Sequence, residues 1–208
     1  MNNANCFKVS GEVLLMTFYE QNDSLSYRNS LVKDKNIIRN YQGSNIGYST
    51  EIYDRTVQSK GIGMVQFSSL EKCLAYIESS NEFKQKDFLD GIGIVVVPLN
   101  KAAIDFESFP IVEIMNPVIK FNQCWQEEYA PNLERTVHKY DGIPMVVYTD
   151  KAMIYRGFRQ STVYLINLWP SWSKYCEFKN SDEFRKLQQL KETTSHSETT
   201  VVRMTPLK

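Results

Sequence analysis

The segment Trp169-Pro-Ser-Trp-Ser-Lys-Tyr-Cys-Glu-Phe-Lys-Asn-Ser-Asp-Glu-Phe-Arg185 repeats, with one gap, the earlier segment Phe67-Ser-Ser-Leu-Glu-Lys-Cys-Leu-Ala-Tyr-Ile-Glu-Ser-Ser-Asn-Glu-Phe-Lys84. A second match lies upstream, where Tyr41-Gln-Gly43 corresponds to Tyr140-Asp-Gly142. Both matches have a spacing of about 100 residues, and self-similarity at one period is typical of a repeated structural unit. The sequence therefore predicts two related halves, in which each of the two glycines caps a helix in the left-handed conformation.

Both halves contain the same predicted order of elements, strand–helix–strand–strand–helix–strand, judged from their apolar periodicity. The predicted elements are residues 12–20, 25–41, 46–53, 62–67, 70–88 and 92–99, then 111–115, 119–139, 145–149, 163–168, 172–192 and 199–205. We expect Pro131 to interrupt the helix at 119–139, because proline removes a backbone donor. The order is that of the ferredoxin-like unit. We therefore expect an α+β protein with two tandem ferredoxin-like modules, residues 1–100 and 110–208, joined by a linker at 101–109.

The charge balance argues against a nucleic-acid partner. The chain of 208 residues contains 24 Lys and Arg against 24 Asp and Glu. Proteins that bind nucleic acid usually carry a basic patch or stripe, and no basic run with interleaved aromatic residues is present. The first apolar run, Val13–Phe18, has the length of a strand, whereas a signal peptide or a membrane span needs a longer apolar segment. We therefore expect neither nucleic acid nor a membrane as a partner.

The cysteines indicate the compartment. Cys6, Cys73, Cys124 and Cys176 are scattered along the chain, whereas a disulfide framework or a zinc site needs closer spacing. Reduced thiols are typical of cytoplasmic proteins. We therefore expect a cytoplasmic location and no metal site.

Four short motifs carry a resemblance to a known fold family. They are Ala130-Pro131, Lys139-Tyr-Asp-Gly142, Leu168-Trp-Pro-Ser171 and Ser181-Asp-Glu-Phe184. In these motifs the chain resembles the dimeric α/β-barrel superfamily, and within it the domain-of-unknown-function 1330 family. Members of this superfamily pair the sheets of two modules across a dimer. A tandem copy therefore implies an intramolecular dimeric α/β-barrel and a monomeric protein.

The chain also departs from that family. Relatives carry an acidic residue with Gly after the second strand, where this chain has Tyr155-Arg156-Gly157. Haem-degrading members carry Trp and His on the second helix, at positions that correspond to Phe178 and Gln188. Without a histidine the iron would have no axial ligand. The resemblance therefore implies no haem, and we expect no cofactor.

Two residues are candidate catalytic groups. His138 is a candidate general base, because histidine is the side chain most often used for proton transfer, although a cation near a helix end is also explained by the helix dipole. Tyr155 is the second candidate catalytic residue. The other histidine, His196, lies in a polar segment that we expect to be a solvent-exposed loop.

Five residues are candidates for ligand binding. Trp125 and Tyr129 are expected either to line an apolar pocket between the sheet and the helix of the second half or to fill its core. Arg159 is a candidate for binding an anionic substrate, or lies on a solvated hairpin. Gln66 and Asn167 take similar places in the third strand of each half, so strand alternation predicts that both amides point into one barrel. There they would contact each other or a ligand.

Two classes of function remain open. One is a small-molecule-binding α/β-barrel protein that acts as a cofactor-independent enzyme of isomerase, lyase or monooxygenase type on a small apolar or aromatic substrate. The alternative is a non-catalytic binding or protein-interaction module. A closed cavity would favour the first, and a fully packed interior would favour the second.

Overall fold

The structure of the chain is a computed structural model, which describes residues 11–20, 24–55, 60–80, 83, 93–99, 104–146, 152–156 and 163–207. The first half contains β1 (Val13–Glu20), α1 (Ser24–Asn40), β2 (Gly43–Arg55), β3 (Lys60–Phe67), α2 (Leu70–Ser79) and β4 (Gly93–Pro98). The second half contains β5 (Ile111–Ile119), the helix α3 in three parts (Asn122–Cys124, Trp125–Tyr129 and Ala130–Lys139), β6 (Ile143–Val146), β7 (Met153–Arg156), β8 (Leu165–Trp169), α4 (Trp172–Lys179), α5 (Asp182–Thr194) and β9 (Ser195–Pro206).

The described strands form one antiparallel sheet in the order β6-β8-β5-β9-β2-β3-β1-β4-β7. The runs β2-β3-β1-β4 and β6-β8-β5-β9 both have the strand order of a ferredoxin-like unit, with its first and third strands in the centre. The halves join where β2 continues past β3 to pair with β9, and where β7 pairs with β4. The end strands β6 and β7 are consecutive in the chain, so the sheet curls back on itself. The predicted α+β fold of two ferredoxin-like modules in one chain is confirmed.

Three apolar clusters fill the protein. The sheet–sheet core contains residues from strands of both halves, including Leu14, Met64, Val95, Ile114, Ile166 and Val202. The first helix–sheet layer lies under α1 and α2, and the second lies under α3, α4 and α5. Side chains of a strand alternate between the two faces of a sheet. Successive residues therefore alternate between the sheet–sheet core and a helix–sheet layer along β1, β3, β4, β5 and β8.

The two matched turns after α1 and α3 differ from the predicted geometry. The residues in the left-handed conformation are Gln42 (φ 59°) and Asp141 (φ 64°), not the glycines that follow them. Gly43 and Gly142 are required for another reason, because a side chain at either position would collide with its neighbours. A Cβ atom on Gly142 would lie 2.7 Å from the Val137 side chain, and one on Gly43 would be crowded in the same way by α1 and β3.

Matched serines begin α2 and α4. Ser69 and Ser171 have the same extended backbone, with φ −159° in both, and each side chain accepts a hydrogen bond from the backbone N–H three residues later. The donors are Lys72 and Lys174. This is the standard N-cap, which satisfies one of the unpaired donors of the first turn. The two halves therefore start their second helical region in the same way.

Pro131 does not end the helix. It occupies the first turn of the last part of α3, where a missing N–H breaks no helical bond. The preceding five residues, Trp125–Tyr129, form a π-helical turn, and the Ala130 N–H donates to the Trp125 carbonyl oxygen. The interruption expected from Pro131 thus takes the form of a wide turn in a continuous helix.

The last strand is longer than predicted. β9 begins at Ser195, because β5 extends to Ile119 and offers backbone partners to that segment. His196 is therefore a strand residue opposite Val118, and the expected loop at this position is wrong. The expectation of solvent exposure is right, since the His196 side chain is exposed.

Candidate functional site

A buried acid–amide pair lies in the second helix–sheet layer. On β5, Val112 and Ile114 point into the sheet–sheet core, so Glu113 points towards the helices. Asn167 of β8 is its cross-strand partner and donates from Nδ2 to Glu113 Oε2 at 2.9 Å. Glu113 is 2% exposed and Asn167 is 1% exposed. A carboxyl group in such a place is costly to desolvate, and groups of this kind are enriched at functional sites.

Aromatic side chains of α3 cover this pair. The rings of Trp125 and Tyr129 lie 4.3 Å apart between centroids, and both residues are buried. Burial raises the pKa of Tyr129, and the nearby charge of Glu113 raises it further. Tyr129 donates a weak hydrogen bond from its hydroxyl to Met115 Sδ at 3.8 Å. The π-helical turn thus places a neutral phenol near the Glu113 carboxyl group, with the Trp125 indole packed against that phenol.

Two indole N–H groups in this layer lack a hydrogen-bond acceptor. Within the described part of the chain, Nε1 of Trp125 and Nε1 of Trp169 are buried and have no partner. Trp169 follows Asn167 by two residues on β8 and therefore faces the same layer. A buried donor without an acceptor costs about 1–3 kcal/mol. Such groups are rare in folded proteins and call for an explanation.

The first half carries an apolar pair at the place of the acid–amide pair. Leu15 of β1 pairs with Val65 of β3, and this is the third pair counted from Val13. Glu113 and Asn167 form the third pair counted from Ile111 in the corresponding strands of the second half. Leu15 and Val65 belong to the first helix–sheet layer. The fold therefore does not need a carboxyl group or an amide at this position.

Gln66 was expected to match Asn167, and this prediction is wrong. Gln66 lies on the same face of β3 as Met64, which is part of the sheet–sheet core. Its Nε2 donates to Glu12 Oε2 at 2.6 Å, and its Oε1 accepts from the Ile104 N–H at 3.3 Å. The two amides therefore face opposite sides of the sheet. A shift of one residue between the halves reverses the face of every side chain in a strand.

The other predicted site residues are not brought into this layer. His138 is exposed on α3, whose buried residues include Leu133 and Val137. Tyr155 lies on β7, but its side chain is outside the described residues, as is the whole of Arg159. Of the predicted site residues, Trp125, Tyr129 and Asn167 are therefore the three that the structure brings together.

The first helix–sheet layer also contains a buried carboxyl group. Asp34 of α1 accepts hydrogen bonds from the Tyr76 hydroxyl at 3.1 Å and the Ser80 hydroxyl at 2.7 Å. Nearby, the hydroxyls of Tyr27 and Thr17 are hydrogen-bonded to each other. Burial raises the pKa of Tyr27 and of Tyr76, and the nearby Asp34 charge raises both further. The hydrogen bonds among these polar groups account for their burial.

The residues at the expected haem positions do not fit that group. Phe178 is fully buried and packs against Trp169 at 4.7 Å between ring centroids. Gln188 is an amide that donates to Glu192 Oε1 at 2.9 Å. Neither side chain supplies an imidazole to an iron. Among the described residues, no group of three or more His, Cys, Asp and Glu side chains is arranged to hold a metal ion.

No protein-family model matches the sequence, and no curated protein matches it. Solved structures do match in fold. A proposed monooxygenase from Fusobacterium nucleatum is 12% identical, with 96% of this chain and 94% of that chain covered and a TM-score of 0.57. A proposed monooxygenase from Lactobacillus acidophilus is 11% identical, with 95% and 100% covered and a TM-score of 0.55. A mutant chlorite dismutase from Candidatus Nitrospira defluvii, in complex with cyanide, is 11% identical, with 96% and 92% covered and a TM-score of 0.57.

These similarities place the chain in the dimeric α/β-barrel fold. The alignments cover almost the whole of each chain, so the likeness includes both halves and their joint sheet. At such low identity, the likeness concerns the fold alone. In addition, none of the helices in the described ranges is long and apolar enough to cross a membrane.

Proposed function

We propose that this protein binds a small aromatic molecule in the second helix–sheet layer and transfers a proton to or from it without a cofactor. The observation that carries the proposal is the buried pair of Glu113 and Asn167, in the same helix–sheet layer as two indole N–H groups that have no partner among the described residues. The first half shows that the fold tolerates an apolar pair there. A carboxyl group retained at a cost in stability is a candidate for chemistry.

Each side chain has a role that follows from its chemistry. Glu113 is the acid–base group, because a carboxylate removes a proton from a hydroxyl or from an activated carbon. Asn167 orients that carboxylate through its Nδ2 donor. The indoles of Trp125 and Trp169 supply flat apolar surface, and their N–H groups can donate to a carbonyl or developing oxyanion of the ligand. Such chemistry suits an isomerase, a lyase or an oxygenase that acts on an acidic aromatic substrate.

Access to this layer requires movement of the beginning of α3. Trp125 is fully buried, so a ligand reaches Glu113 only when the π-helical turn shifts. Such turns are less regular than an α-helix and often occur at functional sites. Two large apolar side chains are exposed close to the turn in the chain, Phe121 at 61% and Val118 at 49%. We propose that residues 121–129 open and close over the ligand.

A non-catalytic interaction module is the second candidate. It is favoured by the packing, because the sheet–sheet core and both helix–sheet layers are filled with side chains. Two hollows of the described part of the chain lie on the outer surface along α1. In this alternative the barrel serves as a scaffold, and the hydrogen bond between Glu113 and Asn167 has a structural role.

Five further proposals concern origin and setting. We propose that the halves arose by duplication, which the matched serine caps and tight turns support. A relation to the domain-of-unknown-function 1330 family and module boundaries at residues 1–100 and 110–208 follow from the same motifs. Joining of the two half-sheets in one chain supports a monomer. The scattered cysteines support a cytoplasmic location.

A ligand screen with matched variants tests the proposal. Phenols, quinones and aromatic carboxylates are screened by thermal shift, and each hit is titrated against Glu113→Gln and Trp125→Phe. Glu128→Gln is the control, because Glu128 is an exposed carboxylate on the same π-helical turn. We expect roughly tenfold weaker binding in the first two variants and unchanged binding in the control.

Turnover distinguishes the two candidate functions. If Glu113 is the acid–base group, consumption of a bound substrate falls by about 10²–10⁴-fold in Glu113→Gln. Equal affinity of the wild type and Glu113→Gln for every hit would contradict the proposed site. Absence of any hit would favour the interaction module.

A further inference from the structure

A surface trough lies between α1 of the first half and the end of β9 of the second half. It consists of two adjoining hollows of about 390 Å³ and 690 Å³. They share Phe106, Glu107, Pro206 and Leu207 in their walls. Volumes of roughly 300–1,000 Å³ are those of small-molecule sites. We call this feature the α1 trough.

One wall of the α1 trough is basic. Arg28, Lys35 and Arg39 lie on α1 at positions that share one side of the helix, and all three line the hollows. Arg28 lies 5.6 Å from the centroid of the Tyr48 ring. Among the described residues, none of the three cations is paired with a carboxylate. Their charge is therefore available to an anion.

The opposite wall holds two carboxyl groups in the segment 104–107. Asp105 is bound within its own turn, because its Oδ1 accepts from the N–H groups of Glu107 at 2.9 Å and Ser108 at 3.2 Å. Hydrogen bonding from Ser108, from its side chain and its backbone, lowers the pKa of Asp105. Among the described residues, four basic side chains line the trough, Arg203 being the fourth, against these two acidic ones. The trough is therefore positive overall, and its positive charge is concentrated on α1.

The floor of the α1 trough is apolar. Phe106 and Met204 are almost fully buried beneath it, and Tyr48 and Leu207 are partly exposed at its sides. Val32 stands between the cations on α1 and is 51% exposed. Apolar surface that lies next to a row of cations suits a molecule with an apolar body and a negative head.

We propose that the α1 trough binds a small amphipathic anion, with a carboxylate held by Lys35 and Arg39 and an apolar body lying over Val32, Tyr48 and Phe106. The head group gains charge-assisted hydrogen bonds from two donors four residues apart on the helix. The body covers apolar surface that is otherwise exposed to water. This site is separate from the second helix–sheet layer and does not depend on the proposed function there.

Decanoate, kept below its micelle concentration, is the probe, and binding to the full chain is measured by isothermal titration calorimetry. Decanol and decyltrimethylammonium have the same apolar chain with a neutral or a positive head. We expect decanoate to bind, with affinity that falls as salt is raised, because surface charge is screened. We expect decanol to bind more weakly and the cation not to bind.

Variants of surface residues show where the carboxylate head and the apolar chain of decanoate bind, without disturbing the core. Lys35→Gln and Arg39→Gln should each weaken decanoate binding about fivefold, as expected for a solvent-exposed charge pair. Lys33→Gln is the matched control, because Lys33 is an exposed cation on α1 that does not line the trough. Val32→Ser should weaken decanoate binding and leave acetate unaffected.

Three results would overturn the proposal. They are equal binding of decanoate and decyltrimethylammonium, equal effects of Lys35→Gln and Lys33→Gln, and no binding of decanoate by the wild type. Glu113→Gln should leave decanoate binding unchanged. A loss of binding in that variant would place the anion in the second helix–sheet layer instead.

Discussion

Exchanging the pair of the second half for that of the first half tests whether Glu113 and Asn167 are kept for function. The double variant Glu113→Leu/Asn167→Val copies Leu15 and Val65, which take these positions in the first half. Both exchanges nearly conserve side-chain volume. Replacing a buried polar or ionic pair by apolar residues of similar size is often neutral or stabilising. We therefore expect the double variant to be at least as stable as the wild type.

The single variants should behave differently. Asn167→Val removes the amide that donates to Glu113 at 2.9 Å, and a hydrogen bond to a charged group contributes about 1.5–3 kcal/mol. Glu113→Leu leaves the buried amide of Asn167 without this acceptor, at a cost of about 1 kcal/mol after the gain in apolar contact. If the double variant is neutral, the coupling energy between the two sites is about 3 kcal/mol.

Urea unfolding followed by tryptophan fluorescence measures these differences, because Trp125 and Trp169 are buried in the affected layer. For a chain of this length, about 2 kcal/mol corresponds to a shift of about 4–8 °C in Tm. The reciprocal variant Leu15→Glu/Val65→Asn is the control and should lose several kcal/mol. A double variant whose loss of stability equals the sum of the singles would refute the reasoning, because the pair would then be a structural requirement of the second half.

Three further predictions concern stability and reactivity. Gly142→Ala should lower the free energy of unfolding in urea by about 1–3 kcal/mol, because its Cβ would lie 2.7 Å from the Val137 side chain. An unchanged urea midpoint would contradict this prediction. The hydrogen bond from Lys139 lowers the pKa of Glu183 from 4.5 to about 2, so its contribution is present above pH 4.5 and is lost as the pH falls towards 2. The difference in Tm between wild type and Glu183→Gln should accordingly vanish at the acid end, and a constant difference would argue against this pairing. Burial raises the pKa of the Cys73 thiol to about 12, so iodoacetamide at pH 8 should modify exposed Cys124 and spare Cys73 in peptide mapping; equal labelling would show that α2 opens.

The order of elements could be predicted because it is encoded locally. Apolar alternation, N-cap serines and the two matched turns each act within a few residues, and the structure shows the serine caps at Ser69 and Ser171. The ends of strands could not be predicted, because they depend on a distant partner. β9 begins at Ser195 only because β5 continues beside it to Ile119. The pairing of β7 with β4 likewise joins segments that are far apart in the chain.

The candidate site was only partly predictable for a similar reason. Trp125, Tyr129 and Asn167 were identified from their chemistry, but Glu113 was missed within an apolar strand. The charged residue at the third position of Ile111–Met115 could have indicated a buried functional group, because alternation places it on the helix-facing side of the sheet with Ile111. The assignment of Gln66 to the same site failed because the match between the halves slips by one residue at this strand. An alignment error of one residue places every side chain of a strand on the wrong face of the sheet.

The asymmetry between the halves is what separates a functional explanation from a structural one. Both halves use the same serine cap, the same left-handed turn and the same crowded glycine, so these features serve the fold. Among the described residues, the second half has its acid–amide pair in a helix–sheet layer, whereas the pair of the first half, Glu12 and Gln66, uses an amide on the opposite face of the sheet. The buried indole N–H groups without partners also lie in the second half. A shared architecture that is stable with Leu15 and Val65 does not require Glu113 and Asn167. Their presence in the second helix–sheet layer therefore supports the proposal of a ligand in that layer, with the basic α1 trough as a separate surface between α1 and β9.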